Sequence, residues 1–185
     1  VHWKQKSWSF SVTGFNRHLN NRILWQPLEN SFNWSPQNVD QVWSRGVEVR
    51  LNGQLQLQKW NILWSNGYDY VHSTVQKAED TVLLGKQLIY TPEHQFFSSI
   101  NIRWQHWQLN YNHRITGRVL IQARNPKYLQ GYQLGYLSAG YDWKLSSFSG
   151  NILFKVNNLW NTNYRIIDRR PMPLQHYEFS FLIKI

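Results

Sequence analysis

The sequence predicts an all-β fold, an antiparallel transmembrane β-barrel segment of about eight strands. Apolar and aromatic residues alternate with polar ones over many short stretches, as strands with one apolar face require. The 185 residues include 11 Trp, 10 Tyr and 9 Phe, yet the chain is hydrophilic on average. That combination is typical of strands with one face in lipid and one in water, joined by polar loops. Short turns and long loops also alternate along the chain, as they do in outer-membrane barrels.

The N-terminal part is predicted to be a strand followed by a loop. Trp8 and Phe10 alternate with serines, which predicts a strand that begins at residue 7 and continues to residue 25. The polar stretch 26–41 follows. Pro27 and Pro36 argue against a central strand there, because proline cannot donate a ladder hydrogen bond. This stretch is therefore predicted to be the first long loop.

The next predicted strand covers 42–51 and leads into Asn52-Gly53. This dipeptide favours a two-residue hairpin turn, so the return strand is expected to begin directly after it. The stretch 73–93 is then predicted to be a second long loop, with local structure over 82–90 and a stop at Pro92.

The clearest alternation in the chain covers 107–116, where Leu109 and Tyr111 lie on an apolar side that also holds His113. Tight turns are predicted at Gln105-His106 and Ser146-Ser147, and long loops over 123–131 and 161–176. The other predicted strands in this half cover 96–104, 137–145, 148–156 and 177–185. In the last of these, one face carries Tyr177, Phe179, Phe181, Ile183 and Ile185.

The net charge of +10 indicates an anionic partner. Nucleic acid is disfavoured, because the basic residues are scattered and no helix-turn-helix or RNA-recognition pattern is present. Lipopolysaccharide phosphates or an anionic ligand fit equally well. The chain has no cysteine, which excludes a disulfide framework. It opens without the charged start and apolar core of a signal peptide, so a mature piece or a fragment of an exported protein is expected.

No catalytic or metal centre is predicted. The seven histidines have no chelating spacing, so neither a metal nor a cofactor is expected. A Gly-x-Ser-x-Gly nucleophile motif is also missing from the sequence. Glu48, Asp142 and Glu178 lie on the polar sides of their strands, beside basic residues. A salt-bridged barrel lining explains these carboxylates, since charges facing the interior need partners. The chain is therefore predicted not to be an enzyme.

Several segments together resemble one membrane-protein family. They are Gly14-Phe15-Asn16-Arg17, Pro36-Gln37-Asn38-Val39 with Arg45-Gly46-Val47-Glu48, Tyr90-Thr91-Pro92-Glu93-His94, and Asn157-Asn158-Leu159-Trp160-Asn161 with Tyr164. In this order, and followed by a loop with proline and a final alternating strand, they resemble the C-terminal end of TonB-dependent outer-membrane receptors. The similarity is greatest to receptors for cobalamin, haem or siderophores.

The resemblance implies that 1–185 is the C-terminal part of a receptor barrel of about 22 strands, without the plug domain. It also implies a multi-pass location in the outer membrane of a Gram-negative bacterium. The expected partners are outer-membrane lipid and lipopolysaccharide, the remaining barrel strands and plug, and a small-molecule nutrient. The TonB energy-transducing complex is expected to act through the missing N-terminal part. No nucleic-acid partner is expected.

Candidate ligand contacts are aromatic, basic or histidine residues in the predicted outer loops. They are Trp34, His94, Tyr128, Arg165, Arg169 and Arg170. His113, on an apolar strand face, is expected to pack or to lie at the membrane interface.

Two other architectures are compatible with the strand pattern. One is a self-contained small outer-membrane barrel with a structural or adhesive role. It would need the strand at Trp8 to pair with the strand at Phe179. The other is a soluble β-rich module that binds sugars or bases through exposed Trp residues. The first alternative is disfavoured because the predicted interior carries many small residues, which would leave a narrow barrel underfilled.

Overall fold

The computed structural model describes residues 1–27 and 34–184. In this part of the chain, thirteen strands and one short 3₁₀ helix at Thr81–Leu83 are present. The strands are β1 His2–Lys4, β2 Trp8–Pro27, β3 Trp34–Leu57, β4 Trp60–Lys77, β5 His94–Trp104, β6 Trp107–Thr116, β7 Val119–Gln122, β8 Lys127–Leu129, β9 Tyr132–Leu145, β10 Phe148–Asn157, β11 Arg165–Ile167, β12 Arg170–Pro171 and β13 His176–Lys184. Across the described ranges, no helix is long and apolar enough to cross a membrane.

One antiparallel sheet organises the molecule, in the order β1-β2-β3-β4-β5-β6-β9-β10-β13. The pairs β7-β8 and β11-β12 form separate hairpins inside long loops. This confirms the predicted all-β antiparallel fold. Turns at 58–59, 105–106 and 146–147 lie at one end of the sheet, the short-turn end, and the loops 78–93 and 117–131 lie at the other, the long-loop end.

The strands are strongly staggered relative to one another. A line of register partners runs from Trp8 at the short-turn end of β2 to Tyr177 at the long-loop end of β13. It passes through Gly53, Trp64, Ile100, Tyr111, Leu137 and Val156. Strands that tilt in a barrel show such a stagger, because closure requires a shear between the two edges.

Cross-strand partners share a face of a sheet, so the register sorts the side chains into two faces. The apolar face holds residues such as Phe10, Leu55, Ile62, Leu109 and Phe154. The polar face includes Ser11, Asn52, Arg50, Asn101, Asn110, Ser138, Asn151 and Glu178. The apolar face stays open: Phe179 is 70% exposed and Trp107 is 52% exposed. Such a large uncovered apolar surface requires a partner or lipid.

Aromatic rings line both ends of the apolar face. At the short-turn end, Trp60 stacks on Trp104 with ring centroids 5.6 Å apart, and Trp107 lies 4.7 Å from Tyr141. Tyr68 and Tyr70 lie toward the long-loop end. Aromatic belts of this kind mark the two lipid–water interfaces of outer-membrane barrels.

The prediction of a loop over 26–41 is wrong. β2 reaches Pro27 and β3 begins at Trp34, and Trp25 is a register partner of Pro36. Between Trp34 and Gln41, β3 pairs with β2 alone among the described strands. On its other side β4 already ends at Lys77, the register partner of Gln41. Among the described residues the protruding ribbon is therefore only two strands wide, and proline is tolerated in such edge strands far better than in a central strand. Residues 28–33 lie outside the described ranges.

The prediction of a hairpin turn at Asn52-Gly53 is also wrong. β3 continues to Leu57, and the chain turns at Gln58, which adopts a positive φ of 47°. Asn52 pairs with both Ser9 and Ser65 inside the sheet. Pairing on both sides of the strand outweighs the local turn preference of the dipeptide.

The other connections mostly agree with the prediction. The turns at Gln105-His106 and Ser146-Ser147 are confirmed, and so is local structure in the second long loop. That loop is shorter than predicted, since β4 extends to Lys77. The last two long loops contain the hairpins β7-β8 and β11-β12, which the sequence pattern did not predict. Ile185 lies outside the described residues.

The sheet is open in the described part of the chain. Its edge strands are β1 and β13, and neither pairs with the other. β1 covers only three residues of β2, from Ser9 to Ser11. The prediction that the Trp8 and Phe179 strands do not pair with each other is confirmed, which argues against the small closed barrel.

Candidate ligand-contacting surface

Ion pairs and amide contacts line the polar face. Arg50 forms ion pairs with Asp69 and, at 4.0 Å, with Glu48. Farther along the sheet, Lys155 lies 3.5 Å from Glu178. Hydrogen bonds also connect Asn101 to Asn110 and Asn110 to Ser138. The prediction of a salt-bridged polar lining is therefore confirmed for Glu48 and Glu178. Asp142 instead accepts a hydrogen bond of 2.7 Å from Asn151.

The 78–93 loop folds back over the polar face at the long-loop end. Its apolar residues Leu83, Leu88 and Ile89 pack with Val42 and Val75 in the main buried cluster. Both valines belong to the polar face by register, so the loop covers the inner side of the sheet. Backbone hydrogen bonds of 2.7 to 3.0 Å hold the loop to β4. The 78–93 loop therefore covers part of the polar face at the long-loop end.

Ion pairs join the long loops to one another. Asp80 contacts Arg124 at 3.1 Å, which connects the 78–93 and 117–131 loops. Lys127 Nζ donates to Asp168 at 2.8 Å, which connects the 117–131 and 158–175 loops. The hydrogen bond from Lys127 is the main cause that holds the pKa of the Asp168 carboxyl below its usual value. The loops thus form one connected surface.

Three tyrosines meet on the polar face beneath these loops. Tyr132 and Tyr136 project from β9 with the same parity, and Tyr164 comes from the 158–175 loop. The rings of Tyr132 and Tyr164 are 4.7 Å apart, and Thr162 anchors the loop by donating to the Gln133 carbonyl at 2.9 Å. Burial, followed by the neighbouring Tyr136 and Tyr132, raises the pKa of the Tyr164 hydroxyl. This cluster offers aromatic faces and hydroxyl groups in a partly enclosed place.

The structure brings four of the six predicted contact residues into neighbouring hairpins. Arg165 and Arg170 lie on β11 and β12, Arg169 lies in the turn between them, and Tyr128 lies on β8. The Lys127–Asp168 ion pair holds the two hairpins together. Tyr128 is 43% exposed, and Arg118 lies over its ring at 4.8 Å. These residues form an exposed basic and aromatic rim.

The other two predicted contacts lie elsewhere. His94 begins β5 on the apolar face, where its Nδ1 lies 2.7 Å from the Tyr68 hydroxyl. Trp34 is the first residue of β3 and directly follows residues 28–33. The structure does not describe its side chain. His113 does lie on the apolar face, as predicted, with its Nδ1 3.0 Å from the Tyr111 hydroxyl.

Sequence reasoning missed the tyrosine cluster. Tyr132 and Tyr136 occupy positions of β9 that alternation assigns to the polar face. Two large aromatic residues at such positions could have indicated a functional surface. Tyr164 could not be added in this way, because only the folded loop brings it to β9. In the described residues, no group of three or more His, Asp or Glu side chains is placed to hold a metal ion.

Comparison with known proteins agrees with this architecture. A family model described as TonB dependent receptor-like, beta-barrel matches residues 1–159. The vitamin B12 transporter BtuB of Photobacterium profundum is 27% identical over 158 residues, which are 84% of this chain. The chain spans 24% of the length of that relative.

Solved structures of other proteins share the fold. The ferric preacinetobactin receptor BauA of Acinetobacter baumannii superposes with a TM-score of 0.70 and 17% identity, over 97% of this chain and 28% of that one. The ferric-catecholate import receptor Fiu of E. coli K12 gives 0.63 and 17%, over 96% of this chain and 25% of that one.

Proposed function

The chain belongs to the TonB-dependent receptor-like β-barrel family, and from this premise we propose that it forms the C-terminal part of an outer-membrane receptor barrel. The whole receptor imports a scarce nutrient, of the class of iron-siderophore, haem or cobalamin. The apolar face lies in lipid, and the polar face lines the interior. The long-loop end faces the cell exterior and the short-turn end faces the periplasm.

The main support is that the two faces are sorted across nine paired strands, and that the apolar residues of the 78–93 loop pack against the polar face. In a soluble module, exposure of a whole apolar sheet face to water would be unfavourable. Small residues on the polar face, such as Ser9, Ser99, Gly140 and Ser180, suit a wide wall opposite a plug domain or water. Further strands and the plug complete the barrel, and the TonB complex acts through the plug-bearing part.

We assign the first contacts of the nutrient to the long-loop end. Arg165, Arg169, Arg170 and Tyr128 form an exposed rim that attracts anionic groups, since arginine forms paired hydrogen bonds with carboxylates and phosphates. Tyr132, Tyr136 and Tyr164 lie further in and offer stacking surfaces. This arrangement would capture a large ligand with both aromatic and anionic parts. It supports binding and transport rather than catalysis.

Uptake in cells tests the proposal. A strain that lacks the gene for the whole receptor is complemented with wild type or with Tyr132→Ala/Tyr164→Ala, and uptake of cyanocobalamin, ferric citrate, a ferric catecholate and haemin is measured. We expect receptor-dependent uptake of one probe, abolished without TonB, and weakened roughly tenfold at low concentration in the tyrosine variant.

The matched control is Tyr141→Ala, which removes a tyrosine of the apolar face and should leave uptake within about twofold. Uptake that is unaffected by loss of TonB would contradict the proposed transport role. Equal effects of the two tyrosine substitutions would contradict the assignment of the ligand surface.

A further inference from the structure

A basic and aromatic patch lies on the apolar face at its long-loop end. The guanidinium of Arg45 lies 3.9 Å from the centroid of the Trp43 ring. Trp43 stacks on His18 with centroids 5.9 Å apart, and its indole N–H donates to the side-chain oxygen of Asn16. Arg45 is the register partner of Asn16 on one side and of His72 on the other. The patch therefore spans three adjacent strands.

Arg45 has no carboxylate partner among the described side chains. One of its terminal nitrogens is shielded from solvent without a hydrogen-bond acceptor, and no described carboxylate lies within ion-pair distance of it. The neighbouring carboxylate, Glu93, accepts from His72 at 2.6 Å instead. Arg50, on the polar face of the same strand, pairs with Asp69. A partly desolvated guanidinium without a partner favours an anion supplied from outside the chain.

The height of the patch indicates which anion is available. Arg45 and Leu57, at the short-turn end of β3, are twelve positions apart. With about 3.3 Å per residue and a tilt of about 40°, this separation corresponds to roughly 30 Å along the membrane normal. That exceeds the apolar band of about 25 Å, so the patch lies at the outer headgroup level. That this level belongs to the outer leaflet rests on the proposed function, which places the long-loop end at the cell exterior.

We propose that Arg45, with Trp43, His72 and Asn16, binds a phosphate group of lipopolysaccharide in the outer leaflet. The guanidinium and the Asn16 amide can donate to phosphate oxygens, and His72 adds a further donor when protonated. Trp43 holds the guanidinium by a cation–π contact and stays at the lipid–water interface. The phosphate supplies a counter-charge for a guanidinium that has no carboxylate partner among the described side chains.

Arg17 provides a matched control. Its guanidinium also lies over an aromatic ring, that of Phe15, at 4.9 Å. It is next to Asn16 in sequence and pairs with Ser44, so it is near the patch in height but on the polar face. Removal of either arginine costs one positive charge and one cation–π contact, and only Arg45 faces the lipid.

The test uses the whole receptor, purified in detergent, and native mass spectrometry with lipid A that carries both phosphates. We expect Arg45→Gln to weaken lipid A binding roughly tenfold and Arg17→Gln to change it by less than about twofold. Arg45→Lys should retain part of the binding, because it keeps the charge but loses the planar fork. Lipid A without phosphates should bind wild type and Arg45→Gln equally.

Equal loss with Arg45→Gln and Arg17→Gln would overturn the site, and so would an effect of Arg45→Gln on lipid A without phosphates. Equally strong Arg45-dependent binding of phosphatidylglycerol would overturn the assignment to lipopolysaccharide. A receptor that imports its nutrient but shows no Arg45 dependence would overturn this inference alone. A wild-type receptor that needs no detergent would overturn the proposed function as well.

Discussion

Lys127 and Asp168, 41 residues apart in sequence, form an ion pair of 2.8 Å between two hairpins of the long-loop end. Arg169 lies 3.9 Å from the same carboxylate. The contact keeps Tyr128 and the Arg165 hairpin together, and with them most of the predicted ligand-contact residues. Its strength depends on the charge of Asp168.

Acid should loosen this contact. The pKa of Asp168 is lowered by its hydrogen bond with Lys127, so the stabilisation is fully present above the ordinary aspartate pKa of about 3.9 and is lost as the pH falls through the lowered value. Spin labels at Tyr128→Cys and Ile166→Cys should give a narrow distance distribution at neutral pH and a broad one at strongly acidic pH. Asp168→Asn should broaden it at every pH. A narrow distribution in that variant would contradict the role of the ion pair.

Arginine on the apolar face should destabilise the barrel. Ile152 and Phe154 are register partners of Phe181 and Phe179 on this face, so Ile152→Arg or Phe154→Arg should cost about 2–4 kcal/mol near the bilayer midplane. Ser180→Arg, on the polar face of β13, should be far milder. Urea unfolding of the receptor in lipid vesicles measures both. Equal losses would show that the two faces share one environment.

Gly53 should resist substitution because an indole ring covers it. A Cβ added there would lie 2.0 Å from a ring carbon of Trp64, whereas a Cβ at Gly14 would meet no heavy atom within 4 Å. Both glycines lie on the apolar face. Gly53→Val should therefore cost about 1–3 kcal/mol through overpacking, and Gly14→Val should cost much less. Urea unfolding in lipid vesicles measures the loss of stability in both variants. Equal losses for Gly53→Val and Gly14→Val would argue against close contact of Trp64 with β3.

The ends of the sheet should differ in access from outside the cell. A membrane-impermeant thiol reagent should label cysteine at Lys127 or Asp168 on intact cells, because both lie in long loops. It should not label cysteine at Gln58 or Ser147, which lie in short turns. Labelling at Gln58 from outside would reverse the topology and remove the ligand surface from the exterior.

Much of the fold was predictable because strand faces have a short period. The apolar parity of Leu109 and Phe181 and the turns at Gln105-His106 and Ser146-Ser147 follow from local sequence alone. Local rules failed where neighbouring strands decide the outcome. Asn52-Gly53 lies inside β3 because both sides of that strand are paired. Pro36 lies in a part of β3 that pairs, among the described strands, with β2 alone.

The candidate site was less predictable than the strands. Sequence reasoning selected Tyr128 and the three arginines by residue type and loop position, and the structure groups them through Lys127 and Asp168. It placed His94 in a loop, although the residue lies on the apolar face beside Tyr68. Contacts between loops depend on side chains that are distant in sequence, and no short-range pattern encodes them.

A disulfide crosslink tests whether this sheet is one wall of a wider barrel. Ser9 on β2 and Ser180 on β13 are replaced by cysteine in the native membrane, with Ser9→Cys/Asn52→Cys, a register pair in the sheet, as the positive control. We expect a disulfide in the control and none between residues 9 and 180. Efficient formation of the 9–180 disulfide would rule out the wider barrel, because only a small barrel closed on itself brings those two strands together.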